Sequence, residues 1–389
     1  MSRRVFLKGL TATALGLAAA SIWRVESNHV FNSGEGPAFA PWKDWQQQGT
    51  SPSERMVQAA VLAASPHNTQ PWKFHLLPDR IDVYADTSRH LGAIDPLFRE
   101  MYIGVGCAVE NLLLSSEAAG YRWSFDDPPS STTSGLQPVA RILLKKDATL
   151  PSSDLYAAIP KRHTNRGPYV AGKEVDPRTI QSFGDLKNSD SGLRVCWFTK
   201  PEEKQAFGDL VVLATKAIIA DPEQSNVTAR WLRTNWADIQ HLRDGLTYDT
   251  QGLSPGMRAL AKFSPPLSIE QTDQFWLTAT RDTHVATASA FGMIAIRDAR
   301  STHQLLEAGR LWQRMHLAST LQGVAMQPLN QPVERRDREV QLGHLPTFAN
   351  ALFNLQQDDS WQPVMPFRLG YPIQDAPPSP RRPVTNALI

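Results

Sequence analysis

The sequence contains few cysteines and none of the common signatures of metal, dinucleotide or hydrolase sites. Only two of its 389 residues are cysteines, Cys107 and Cys196, which excludes a disulfide framework. It has no CxxC or HExxH pattern for zinc and no GxSxG pattern for a nucleophilic serine. Gly104 and Gly106 do not open a dinucleotide-binding loop, because Val109 stands where GxGxxG needs its third glycine. We therefore predict no metal site and no hydrolase.

The chain also lacks an excess of charge of either sign. Its net charge is +2, and removing the basic residues Arg3, Arg4 and Lys8 from the total of 40 leaves 37 against 38 acidic residues. This balance argues against nucleic acid or an anionic membrane surface as a partner. A hydrophobic content of 41% describes a globular chain with room for one large or two ordinary domains.

The first residues resemble a twin-arginine export signal. Ser2, Arg3 and Arg4 begin the pattern SRRxFLK, and an uncharged run of 15 residues, 9–23, follows. That run is short for a membrane span, which needs about 20 residues. The alanines at 18–20 offer a cleavage site, and an uncleaved anchor is the alternative. We expect export by the twin-arginine translocation machinery, to the periplasm or to a membrane anchor that faces it.

A weak repeat predicts two similar halves. Gly106 and Gly120 are 14 residues apart, as are Gly309 and Gly323, and each pair spans an apolar helical segment. We predict an α+β fold that is internally duplicated, with two buried central helices packed across a pseudo-twofold axis. The predicted division is a signal and linker at 1–40 and halves at 41–155 and 156–389. One chain would then be a monomer that acts as a pseudo-dimer.

One segment of the second half has no counterpart in the first. It covers about 226–271 and is predicted to contain an amphipathic helix through Trp231, Trp236, Ile239 and Leu242. Insertions of this kind often cover a ligand, and a purely structural excursion is the alternative. Both interpretations remain open at the level of sequence.

Three short motifs carry the chemistry. The first is the turn from Ser65 to Trp72 (SPHNTQPW), whose prolines end a helix and expose a hydroxyl and two carboxamides. The second, at 162–166 (RHTNR), places two guanidinium groups four residues apart around a hydroxyl, which suits a phosphate. The third is the basic pair Arg381 and Arg382 near the C-terminus. Taken singly, each is more often a polar turn or a solvated basic run.

Together and in this order, the three motifs resemble the nitroreductase family of FMN enzymes, over roughly residues 50–389. The resemblance implies one FMN per chain at the seam between the halves. It implies that the phosphate is held by Arg162, Thr164 and Arg381 or Arg382, and that Arg166 lies near the N1/O2 edge of the flavin. It further implies ring or ribityl contacts from Ser65, His67 and Asn68, a corner shaped by Gln70 and Trp72, and an N5 neighbourhood formed by Pro328, Leu329, Asn330 and Gln331.

The resemblance also implies the function. We expect an FMN-dependent oxidoreductase that takes electrons from a small-molecule donor and passes them to a nitro-aromatic or quinone-like acceptor. Two departures from the family pattern stand out, Pro66 in place of a serine and Asn330-Gln331 in place of an acidic-glycine pair. The organisation resembles the Acg-type fused nitroreductases, whose flavin lies beneath a lid. The alternative is therefore a non-catalytic protein that sequesters flavin.

Overall fold

The computed structural model describes residues 23–46, 51–126, 138–187 and 192–389. The predicted export signal lies outside these ranges except for its last residue, Trp23, as do parts of the predicted linkers. Within the described ranges no helix combines the length and the apolar character that crossing a bilayer requires.

The first half forms one antiparallel sheet and one long central helix. Its helices are α1 (Ala40–Lys43), α2 (Pro52–Ala60), α3 (Arg99–Ala118) and α4 (Asp154–Ala158), and its strands are β1 (Trp72–Leu76), β2 (Arg80–Ala85), β3 (Tyr121–Asp126) and β4 (Pro138–Lys146). A capping box starts α2, because Ser51 accepts from the backbone N–H of Glu54 while Glu54 accepts from that of Ser51. The strands β1 and β2 form an antiparallel hairpin, with Trp72 opposite Ala85.

The second half has a second antiparallel sheet and more helices. The helices are α5 (Pro177–Gly184), α6 (Pro201–Ile219), α7 (Pro222–Trp231), α8 (Trp236–Leu242), α9 (Pro255–Phe263), α10 (Ile269–Ala279), α11 (Thr302–Leu321), α12 (Gln331–Leu342) and α13 (Thr347–Gln356). The strands are β5 (Leu193–Phe198), β6 (Leu232–Arg233), β7 (Leu246–Thr247), β8 (Ala290–Ile296), β9 (Ala325–Pro328) and β10 (Gln362–Gly370).

The two four-stranded sheets share one topology. Their strand orders are β1-β2-β4-β3 and β5-β8-β10-β9, and every neighbouring pair is antiparallel. In each half a 20-residue helix connects the second strand along the chain to the third: α3 connects β2 to β3, and α11 connects β8 to β9. The predicted α+β class is confirmed. The shared topology supports the internal duplication, which stays a prediction.

The two central helices cross at glycines. A Cβ atom on Gly309 would lie 2.0 Å from the carbonyl oxygen of Ile103, and one on Gly106 would lie 2.2 Å from that of Leu306. Two buried polar contacts join the same helices, Gln313 to Asn111 at 2.8 Å and Arg310 to Glu110 at 2.9 Å. The structure thus places the repeated glycines at the contact between the halves, where only a hydrogen atom fits.

The C-terminal tail crosses back to the first half. The backbone N–H of Phe74 in β1 donates to Ala387 O at 2.8 Å, and the N–H of Ile389 donates to Phe74 O at 3.1 Å. The tail thereby covers the edge of the first sheet, which would otherwise expose unpaired backbone groups. This path carries Arg381 into the first half, where its N–H donates to Ala38 O at 2.7 Å.

The insertion is larger than predicted. The connection from β5 to β8 covers 199–289 and includes α6 to α10, whereas the equivalent β1–β2 connection is a short turn. The single helix predicted through Trp231 and Leu242 is wrong. Two helices form instead, because Asn235 caps α8 by accepting from the N–H of Asp238 and the intervening Leu232 and Arg233 form β6.

The predicted linker is partly structured. Phe39 and Trp42, on a 3₁₀ turn and α1, are buried against Leu62 and Ile159. Burial of two large aromatic side chains stabilises this segment against the first half. The predicted end of the linker at residue 40 therefore falls inside a packed unit. The predicted boundary between the halves, at residue 155, stays a prediction.

Gly309→Ala should lower the free energy of unfolding. Alanine favours a helix by up to about 1 kcal/mol over glycine, but the added methyl group would meet the rigid backbone of α3. We expect a net loss of roughly 1–3 kcal/mol, as for overpacked cores. The control is Gly256→Ala in α9, where nothing lies within 4 Å of the added carbon. Equal urea midpoints for the two variants would contradict the proposed tight crossing.

Candidate functional site

Two adjoining cavities lie where the halves meet the insertion. The main cavity has a volume of about 390 Å³, and a small pocket of about 40 Å³ adjoins it. They share the lining residues Ala64, Ser65, Thr164, Arg166 and Leu246. A volume of this size is typical of cofactor and small-ligand sites.

The turn after α2 has an unusual backbone. His67, Asn68 and Gln70 have φ angles of 45°, 56° and 52°, in the left-handed region that few non-glycine residues adopt. Strain of this kind persists only where surrounding contacts hold it, and it clusters at functional sites. Ser65 supports the turn, because its hydroxyl accepts from the N–H of Gln70 at 3.0 Å.

The two carboxamides of the turn are engaged in internal hydrogen bonds. Asn68 donates to Pro380 O at 2.8 Å and to Gly245 O at 3.2 Å, and its oxygen accepts from Arg381. Asn68 lines only the small pocket. Gln70 is fully buried, donates to Arg243 O and lines neither cavity. Both side chains tie the turn to the tail and the insertion, so that Asn68 faces the small pocket alone and Gln70 faces neither cavity. The cofactor contacts predicted for them stay predictions.

Two buried arginines face the small pocket without an acidic partner. Arg162 and Arg381 both donate to the carbonyl oxygen of Leu62, at 3.0 and 3.4 Å, and the Nε atom of each has no hydrogen-bond partner among the described residues. Neither forms an ion pair within the described part of the chain. Arg382, in contrast, lines neither cavity and donates to Asn386 O. The structure thus places Arg381 rather than Arg382 at the pocket.

Burial makes these cations costly. It lowers the pKa of Arg162 to about 10, and burial together with the Arg162 charge holds the pKa of Arg381 well below its usual range. Burial and the neighbouring arginines also lower the pKa of His163 to about 3 and that of His316 well below 6.5. The histidines are uncharged at neutral pH, so the small pocket is lined by three guanidinium groups, of Arg162, Arg166 and Arg381, and by no carboxylate. An anionic ligand with several acceptor oxygens fits this arrangement.

Thr164 and Arg166 lie where the two cavities join. Within the described part of the chain no residue is hydrogen-bonded to the Thr164 hydroxyl, while Arg166 donates to Thr250 O at 3.2 Å. Burial lowers the pKa of Arg166 to about 10, so it stays charged at pH 7. Burial and this charge lower the pKa of His67, which also lines the main cavity, to about 4. The junction therefore carries one fixed positive charge.

The segment predicted to lie near N5 is only partly exposed to the main cavity. Pro328, Asn330 and Gln331 line it, and the buried Oδ1 atom of Asn330 has no partner among the described residues. Leu329 does not line it. Its side chain is fully buried in the core and its N–H donates to Pro366 O at 2.8 Å. The place of Leu329 in the N5 neighbourhood stays a prediction.

Two carboxyl groups also line the main cavity. Glu100 lies on the first turn of α3 and Glu334 on the first turn of α12, so each half contributes one. Burial, the Glu100 charge and a hydrogen bond with Glu100 raise the pKa of Glu334 well above 4.5. Burial and Glu100 likewise raise the pKa of nearby Asp95 to about 8. Arg99 neutralises only part of the cluster, donating to Asp337 at 2.7 Å and to Glu100 at 3.1 Å.

Sequence reasoning missed several residues of the site. His284, on a turn of π-helix, and the two glutamates line the main cavity, while Trp42 stacks beside the small pocket, 4.9 Å from the Arg381 guanidinium carbon. No motif marks them. Irregular π turns often accompany functional sites, but such a turn is not readable from sequence spacing. These residues come together only through the packing of distant segments.

Comparison with known proteins supports the resemblance at the level of sequence. No family model matches the chain. A Mycobacterium tuberculosis protein provisionally named NAD(P)H nitroreductase MT3217 is 32% identical over 120 residues, covering 29% of this chain and 33% of that protein. The uncharacterized protein MT1398 of the same species is 26% identical over 317 residues, covering 79% of this chain and 42% of that protein. The predicted resemblance to nitroreductases is thus confirmed, although the chain matches less than half the length of either relative.

Among solved structures, a nitroreductase with bound FMN from Desulfitobacterium hafniense is similar to this chain. The TM-score is 0.36 at 12% identity, and the match covers 58% of this chain and 93% of that protein.

The carboxyl cluster predicts how stability depends on pH. Because the pKa values of Glu334 and Asp95 are raised in the folded state, the native protein keeps protons that the unfolded chain releases above about pH 4.5. The free energy of unfolding should therefore fall as pH rises from about 4.5 towards 8.

Glu334→Gln should flatten this decline, because glutamine cannot lose a proton. The measurement is the urea midpoint between pH 5 and pH 8, and the control is Glu202→Gln on the exposed side of α6. If both variants keep the slope of the unchanged protein, Glu334 does not hold a proton in the native state.

Proposed function

We propose that this protein is an FMN-dependent oxidoreductase of the nitroreductase type. One observation carries the proposal. A pocket with two buried guanidinium groups and no acidic partner adjoins a cavity of about 390 Å³, which suits a ligand that joins an anion to a large planar ring. The match to a nitroreductase-named relative over 120 residues supports the same assignment.

The small pocket would hold the phosphate of FMN. Arg162 and Arg381 each have an Nε–H without a partner among the described residues, and Thr164 lines the same pocket. Because the neighbouring histidines are neutral, the positive charge of the arginines is available to attract an anionic ligand. A bound phosphate would supply the counter-charge that these buried cations lack.

The main cavity would hold the ring. Bound flavin accepts two electrons as a hydride from one small molecule and passes them to another. Around it, Arg166 presents a positive charge at the junction, and Ser65 and His67 line one wall. Glu334, whose pKa burial and Glu100 raise well above 4.5, lines the same cavity and would be a candidate proton donor, since the reduction of an acceptor consumes a proton.

The acceptor would be a nitro-aromatic or quinone-like molecule, because much of the cavity wall is apolar, including Met257, Leu260, Phe275 and Trp276. We also propose export to the periplasm, supported by the twin-arginine pattern in residues 2–8. Nicotinamide coenzymes are scarce outside the cytoplasm, which favours another small-molecule donor.

One observation favours the alternative of flavin sequestration. The insertion at 199–289 supplies the cavity wall from Thr228 to Trp276, so a bound ring would lie beneath α9 and α10. In that case the cavity would retain flavin without exchange of substrates.

Arg381→Ala should weaken FMN binding. A charge-assisted hydrogen bond contributes about 1.5–3 kcal/mol, so the Kd for FMN should rise roughly 10- to 100-fold. The matched control is Arg382→Ala, the neighbouring arginine that lines neither cavity. Flavin fluorescence titration of the two variants measures the difference.

The same variant separates lost binding from misfolding. Removing one of two mutually repelling buried cations should leave the Tm of the flavin-free protein unchanged or raised. An equal loss of FMN affinity in both variants, or none in either, would count against the phosphate pocket.

Reoxidation kinetics decide between turnover and sequestration. After dithionite reduction of the holoprotein, we expect a nitro-aromatic or a quinone to restore the absorbance near 450 nm within seconds, because Met257 and Leu260 line the cavity and are also more than half exposed. Reoxidation that stays slow at every acceptor concentration would favour sequestration.

A further inference from the structure

Helix α9 has the reverse of the usual polarity of a surface helix. Its two charged residues, Arg258 and Lys262, turn inward to Asp249, at 3.7 and 2.8 Å. Its apolar residues Met257 and Leu260 point outward and are 51% and 55% exposed. Surface helices normally place the apolar side against the core and the charges in water, so this helix has a second apolar environment to contact.

The apolar surface continues beyond α9. Phe263, Leu267, Ile269 and Phe275 are also exposed, and the only charged residues from 254 to 269 are the two that turn inward. We define the lid face as these four residues with Met257 and Leu260. Single exposed apolar residues are ordinary, but a contiguous group marks an interaction site.

Most of the lid face also belongs to the wall of the main cavity. Met257, Leu260, Leu267 and Phe275 line that cavity and are exposed at the same time. Whatever covers the lid face therefore contacts side chains that also line the cavity.

The N-terminal segment joins the structure beside the same helix. Asn28 donates to Lys262 O at 3.2 Å, and Lys262 donates from Nζ to Asn32 O at 2.6 Å. Trp23 and Phe31 in this segment are 70% and 80% exposed. The uncharged run at 9–23 ends at Trp23, so a leader suited to a lipid environment enters the fold next to the lid face.

We propose that the lid face docks onto a lipid bilayer, with α9 lying in the membrane surface. A lipid surface fits better than a second copy of the chain, because the adjoining leader is itself apolar and the aromatic residues lie at its border with the fold. The surface carries no cluster of basic residues, so binding should come from apolar insertion and should not require anionic lipid. Under the proposed function, the cavity would then admit an acceptor dissolved in the bilayer, such as a lipid-soluble quinone.

A label on the lid face tests the docking. In the full chain, Leu260→Cys carries a polarity-sensitive thiol dye, and Leu345→Cys, 83% exposed before α13, is the matched control. Unmutated protein reports background labelling at the half-buried Cys196. With phosphatidylcholine vesicles, we expect the fluorescence of the dye on residue 260 to shift to shorter wavelength and its quenching by iodide to fall several-fold. The dye on residue 345 should show no change.

Three outcomes would overturn the proposal. The first is a label at 260 that stays open to iodide while the protein is bound to vesicles, because the leader alone would then anchor the chain. The second is shielding at 260 that grows with protein concentration without vesicles, which would indicate a second copy. The third is shielding only on anionic vesicles. The dye signal is measured without added flavin, so it tests membrane docking independently of FMN binding. A chain that docks onto vesicles but does not retain FMN would contradict the proposed function and leave the docking proposal intact.

Discussion

The crossing of α3 and α11 at Gly106 and Gly309 is the contact on which the candidate site depends. A carbonyl oxygen occupies the space of each missing Cβ atom, which fixes the separation of the two halves. The turn at 65–70 follows α2, which is tied to α3 through the hydrogen bond from Asn111 to Ala59 O. Arg162 contacts His316 of α11 at 3.5 Å. The two walls of the site therefore take their positions from one helix pair.

The site contains buried ionisable groups of both signs. The small pocket contains buried arginines whose neighbouring histidines are neutral, so it has positive charge to offer an anion. The main cavity is lined by Glu100 and Glu334, and burial and the Glu100 charge raise the pKa of Glu334. Each arrangement is costly in isolation, since buried charges need partners. Under the proposed function, a bound anion would offset the cost at the arginines.

The motifs allowed much of this to be predicted because their chemistry is local. Two guanidinium groups around Thr164, and prolines that force a turn after α2, are properties of short segments. It was less predictable which residues of each motif face the cavities. Arg381 and Arg382 are equivalent in sequence, but the tail path from Ala38 to Phe74 turns only Arg381 into the pocket. Gln70 fits a cofactor contact by composition, yet its carboxamide is used to hold the insertion and the tail.

The sequence by itself determined the nitroreductase resemblance, the α+β class and the two central helices, because motifs and hydrophobic periodicity act over a few turns of chain. Only the tertiary structure decided which polar groups face the cavity, how far the insertion extends and that α9 exposes its apolar side. Those features depend on contacts between segments that are hundreds of residues apart, such as Glu100 with Glu334. Burial creates their altered charge states, and burial is a property of the folded chain rather than of any segment.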